Sequence, residues 1–204
     1  EKYGVEFYRT STFLSRSGIT LGSGRMVPLE KPSVALVSGP GTPVYSVGEI
    51  WHMLDVRYHI PVSLIDSRDL RAEEMDRYNV IILTGWNYDF PDVEGLRNWI
   101  LSGGTLLSSG WSLNWLDNNE FLDIDFEEPA RVDPRREFTY SERSRINSYH
   151  RIAGSIFEIE ADITHPLFYG YYHPVIPVFK NSSSVILPEN GRFAHPAIYT
   201  ESPV

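Results

Sequence analysis

The chain of 204 residues contains no cysteine. That excludes disulfides, zinc-thiolate sites and thiol nucleophiles, and it leaves the compartment open. Positive charge is also scarce, with 18 Lys+Arg against 27 Asp+Glu and a net charge of -9. Binding to a phosphate backbone is driven by clustered cations, so no nucleic-acid partner is expected. Arg131, Arg135, Arg136, Arg143 and Arg145 do gather, but Asp133, Glu137 and Glu142 interleave them, which is the pattern of a solvated mixed-charge loop. No apolar run reaches the length of a membrane span, and no span is expected.

What is present is a globular composition, 42% hydrophobic, long enough for one domain with or without an appendage. The sequence opens on Glu1, not Met, and is expected to be a piece of something longer. Its organising stretch runs from Tyr78 to Leu116. Val80 to Leu83 is a mostly β-branched run ending at Thr84-Gly85, as in a strand buried on both faces of a parallel sheet. Val93, Leu96 and Ile100 follow at helical spacing behind Pro91-Asp92, Gly103-Gly104 supplies a left-handed stop, and Thr105 to Ser109 gives the next strand. This is a βαβ unit. Ligands of such sheets lie beyond the carboxyl ends of the strands, which makes Gly85, Trp86, Tyr88, Gly110, Trp111 and Ser112 the candidate crevice residues.

Upstream, residues 1–31 carry scattered aromatics and glycines and read as an N-terminal arm or a linker. Ser33 to Ser38 is the first strand. Its exit, Gly39-Pro40-Gly41-Thr42-Pro43, resembles a phosphate loop only in glycine content, because Val44 stands where the third glycine is required and the prolines remove amide donors. No dinucleotide or other cofactor is expected. Ser46-Val47-Gly48-Glu49 has the form of a capping box, predicting a helix from Ser46 to near Arg57 with Val47, Ile50, Trp51 and Leu54 on one face. Pro61 to Asp66 is a strand, and Asp69 to Tyr78 a short covering helix. The series predicts an α/β, doubly wound, mainly parallel sheet over residues 32–204.

After Leu116 the rhythm fails, and residues 117–190 read as an insertion or an edge-strand block. Ile152 to Ile159, Val175 to Phe179 and Ser184 to Leu187 are strand candidates joined by turn chemistry, expected to add antiparallel strands at an edge of the sheet. With no further βα unit, the natural domain is expected to continue beyond Val204.

Chemical candidates are few. Ser108-Ser109-Gly110-Trp111-Ser112 occupies a strand-to-helix corner, the place of a hydrolase nucleophile, but lacks Gly-x-Ser-x-Gly. A serine hydrolase acting through Ser109 or Ser112 is therefore an alternative reading. Glu49, delivered by the first helix, is a crevice candidate that its capping role already explains. The six histidines show no metal-ligand spacing, so no metal site is expected. Trp86, Tyr88, Trp111 and Trp115, with Tyr45, form an aromatic mouth suited to stack on a sugar or grip a peptide. They are equally suited to pack beneath a lid.

Lys31 to Leu36, Gly48 to Asp55, Tyr78 to Gly85 and Trp99 to Gly110 together resemble the class I glutamine amidotransferase-like domain. The likeness is to the version appended to bacterial zinc carboxypeptidase-like proteins, and Ile152 to Phe157 with Asp162 to Leu167 is similar to that subgroup. The resemblance implies a flavodoxin-like fold, a partner peptidase domain upstream in the same polypeptide, and a secreted or periplasmic location. It also implies a lost activity. The family's elbow cysteine and His-x-Glu pair have no counterpart here, so no catalytic residue carries over, and Glu49 would at most contact a ligand. The expectation is a non-catalytic accessory domain for ligand binding or domain packing. The alternative from a different class is a stand-alone carbohydrate- or peptide-binding module.

Overall fold

Four short β-prone runs assemble into one parallel sheet. The computed structural model describes residues 8–24, 26, 29–122, 124–127, 139–142, 148, 152–182, 184–186 and 195–200. In it β1 (Val34–Ser38), β2 (Val62–Asp66), β3 (Val80–Leu83) and β4 (Thr105–Ser108) stand in the order β2-β1-β3-β4. Between them run α1 (Val44–Trp51), α2 (Ala72–Met75) and α3 (Val93–Leu101), and α4 (Ser112–Asn118) follows β4. The alternation of strand and helix expected from the sequence is what forms.

The pleat decides which side chains meet which helices. Ala35, Val37, Ile81 and Leu83 point to one face, where Leu70, Met75, Leu96, Trp99, Trp115 and Leu116 close over them. Val34, Leu36 and Ile82 point to the other and are covered by Val47, with Ile50 and Leu54 beside it. Among the described residues three helices thus share one face, and α1 with the π turn that follows it covers the other. Leu64 and Leu107, in register with Leu36 and Ile82 on that second face, stay 52% and 44% exposed.

Helix α3 shows how local sequence sets an element. The Asp92 carboxylate accepts from the Gly95 amide at 2.7 Å, capping the start, and Gly103 at φ 109 ends the helix. Periodicity had marked Val93, Leu96 and Ile100, whereas Trp99 is also buried and donates from its indole nitrogen to the Tyr78 carbonyl at 3.1 Å. Gly104 lies under that ring, where a Cβ would overlap it. From the same helix Arg97 donates to the Asn119 and Glu120 carbonyls and sits 4.4 Å from the Phe121 ring centroid, clamping the end of α4.

Helix α1 departs from expectation at its start. It begins at Val44, with Pro43 in the capping position and no side-chain cap, so Ser46 lies inside the first turn and the Ser46-Glu49 capping box does not form. The reason is the tight turn ahead of it. Thr42 donates from its amide (3.2 Å) and its hydroxyl (2.6 Å) to the Gly39 carbonyl, which aims the chain into the helix early, and the first helical bond runs from Val47 to the Pro43 carbonyl. Beyond Trp51 the helix widens into a π turn, His52–Arg57, and ends near Arg57 as expected, where His59 takes a left-handed φ of 57.

The antiparallel block is a correction. Strand β5 (Phe126–Glu127) pairs with a later strand, and β6 (Ser155–Ala161) lies between β7 (Val175–Lys180) and the last strand. With β8 (Val185–Ile186) and β9 (Ala197–Tyr199) the sets are β5-β8 and β7-β6-β9. Among the described residues β7, β6 and β9 form their own three-stranded sheet, and none of them pairs with a strand of the parallel one. Its turn chemistry holds. The Asp162 carboxylate accepts from the amide and hydroxyl of Thr164, bonds that lower its pKa. Residues 128–138 and 143–147, with the arginine cluster, and His150 lie outside the described residues. The described residues among 8–31 form neither helix nor strand.

Candidate functional site

The carboxyl ends of β1 and β3 flank the point where strand order reverses, the place expected to hold a ligand. Here the two loops meet backbone to backbone. The Trp86 amide donates to the Gly41 carbonyl at 3.0 Å. A Cβ on Gly41, which has φ 82, would overlap the Asn87 carbonyl, and one on Gly85 would overlap the Gly41 carbonyl. The glycines that the sequence offered as a failed phosphate loop therefore serve close approach, and the crevice is filled by the chain itself. Gly39 abuts Asp66, whose carboxylate accepts from the Arg68 side chain (2.6 and 3.0 Å) and amide (3.0 Å). Those bonds hold its pKa down at about 2.

Beneath the loops lies a polar knot in an apolar setting. Tyr88, 6% exposed, accepts at its phenol oxygen from the Gly85 amide and meets Trp115 edge to face at 5.4 Å. Burial pushes the phenol up to about 12, against the pull of hydrogen bonds at Gly85, Thr84 and Ser112. Ser112 is fully buried. Its hydroxyl accepts from the Ser109 amide at 3.0 Å and reaches the Leu83 carbonyl (3.0 Å), the Ser109 carbonyl (2.7 Å) and the Ser108 hydroxyl (2.7 Å).

The strand-to-helix corner after β4 is also defined. Gly110 takes φ 64, whereas Trp111 is already helical at φ -67. The left-handed corner position, where a nucleophile elbow would hold its reactive group, is thus Gly110 and carries no side chain.

The expected site residues consequently divide. Gly85, Tyr88 and Ser112 are buried, as is Trp115 of the aromatic mouth, whose ring packs with Phe90 and Phe121. Gly110, Trp86 and Trp111 face outward, the indoles 57% and 60% exposed, and Tyr45 is exposed at the start of α1. Trp86 and Trp111 each stand three residues past a register pair, Leu83 and Ser108, in the loops that leave the adjacent strands β3 and β4. Glu49 is exposed on the second turn of α1. A recess of about 270 Å³ lies instead between α2 and α3, lined by Asp76, Asp92, Glu94 and Asn98 among others, with Asp92 engaged in capping.

Among the described residues no three His, Asp or Glu side chains gather as a metal site, and no helix is long and apolar enough to cross a membrane. No family model, no curated protein and no solved structure matches the chain.

Proposed function

We propose that this chain is a non-catalytic, class I glutamine amidotransferase-like accessory domain of a larger zinc carboxypeptidase-like protein, exported to the periplasm or the medium. The single observation that carries the loss of activity is the corner: Gly110 holds the elbow position without a side chain, and the nearby Ser112 hydroxyl is sealed and fully hydrogen-bonded. The parallel order β2-β1-β3-β4 agrees with the first four strands of a flavodoxin-like sheet, whose fifth strand would lie beside β4. Exposed Leu107 on that edge strand favours a role in packing against a neighbouring domain.

The whole polypeptide provides the test. It should release C-terminal residues in a zinc-dependent way and hydrolyse no glutamine. Glutaminase activity in the isolated chain, or fluorophosphonate labelling abolished by Ser109→Ala, would overturn the reading and restore the hydrolase alternative.

A second reading is favoured by one specific observation, the exposure of both Trp86 and Trp111 just past the ends of the adjacent strands β3 and β4. In it the chain is a carbohydrate- or peptide-binding module whose two indoles stack on the ligand. Glycan- or peptide-array binding lost in Trp86→Ala and in Trp111→Ala would establish it; binding unchanged in both would end it.

A further inference from the structure

One exposed stripe runs along α1 and its π turn. Tyr45, Glu49 and His52 recur at the α-helical intervals of four and three, and Val56 follows His52 by slightly less than one turn of the wider π segment, so the four fall on the same half of the helix. All four are exposed, Tyr45 at 87% and Val56 at 45%. Neither the Glu49 carboxylate nor the His52 imidazole makes a hydrogen bond or ion pair with any described residue. Next to the stripe Gly48 sits in mid-helix with nothing within 4 Å of where its Cβ would be. Glycine there weakens the helix by roughly 1 kcal/mol relative to alanine, and nothing in the packing of the described residues requires it. A missing side chain does let a second backbone approach.

The order of chemistry along the stripe is apolar, acid, base, apolar. Turned end for end it reads apolar, base, acid, apolar, which is its own complement. A two-fold axis at the midpoint between Ile50 and Trp51 sets Tyr45 against Val56 of a second copy and Glu49 against its His52, and symmetry repeats both pairs. A partner of unrelated sequence would have to match this alternation by chance, whereas a second copy matches it by construction. We propose that the chain self-associates through an antiparallel, isologous α1–α1 contact along Tyr45, Glu49, His52 and Val56. Two short helices bury a modest area, so the dimer is of the weak class, with a dissociation constant of about micromolar order or above.

Sedimentation equilibrium on the chain, run from about 1 to 500 μM, reads this directly, with circular dichroism confirming that each variant is folded. The expected result is a mass approaching twice that of the monomer as concentration rises. His52→Glu sets like charges against each other at both symmetry-related pairs and should weaken association by about ten-fold or more. Glu49→Arg should also weaken it, and the double variant Glu49→Arg/His52→Glu, which again sets an acid against a base but in reversed order, should recover most of the affinity. A monomer at every concentration overturns the proposal. So does a dimer indifferent to His52→Glu, or one that the double variant fails to rescue, since each places the contact on another surface.

Discussion

The Ser112 hydroxyl lies 3.0 Å from the Leu83 carbonyl, so the first residue of α4 is tied to the end of the neighbouring strand β3. A side chain that sits beside the hydrolase corner in sequence is in space a buried bolt between two strands. Of its partners the Leu83 carbonyl is buried, Ser108 is half-buried and Ser109 is exposed.

Ser112→Ala should therefore cost about 1–3 kcal/mol of stability, because the Ser109 amide and Ser108 hydroxyl lose a buried partner. Ser109→Ala, at an exposed position, should stay within about 0.5 kcal/mol. Urea midpoints of the two variants measure the contrast, and equal midpoints would contradict it.

Tyr88 predicts an alkaline limit. Its folded pKa of about 12 lies above the usual phenol value, so the folded state favours the neutral form. The stabilisation is complete below about pH 10 and is lost as pH rises from 10 through 12, by up to on the order of 2–3 kcal/mol. Tyr88→Phe lacks the ionisation and should show a flatter stability profile over that window, although it starts lower because the Gly85 amide loses its acceptor.

Two glycines in the left-handed region separate strain from collision. Gly41→Ala meets both, since φ is 82 and the new Cβ would overlap the Asn87 carbonyl, and should cost at least about 2 kcal/mol. Gly110→Ala has φ 64 with nothing within 4 Å, so backbone strain alone applies and the loss should be about 1–2 kcal/mol. Thermal denaturation of both variants tests the order.

The tryptophans should divide in the same way. Trp115→Ala empties a core site among Tyr88, Phe90 and Phe121 and should cost about 3–5 kcal/mol. Trp86→Ala and Trp111→Ala remove exposed indoles and should stay within about 0.5 kcal/mol. Chemical denaturation of the three variants reads the difference.

Strand and helix identities were legible wherever one local pattern sufficed. The apolar run Val80 to Leu83 fixed β3, and Asp92, Leu96 and Gly103 between them marked the start, face and end of α3. The absence of cysteine excluded thiol chemistry before any fold was known. Local pattern misplaced the start of α1, because the Gly39–Thr42 turn, not the Ser46 side chain, sets where that helix begins. It also misplaced the antiparallel strands, since β6 pairs with β7 and β9 and not with the parallel sheet, and strand composition does not name its partners.

The site shows the same division of labour. The sequence by itself determined which residues stand past the ends of β3 and β4: two tryptophans, several serines and glycines, and no group for covalent chemistry by a thiol. Only the tertiary structure decided that Tyr88, Trp115 and Ser112 turn inward while Trp86 and Trp111 turn outward, and that Gly41 and Gly85 shut the crevice. The physical reason is that burial depends on what another segment brings to the same place. Gly41 and Asn87 are 46 residues apart in the chain, and nothing in either local sequence specifies that their backbones meet.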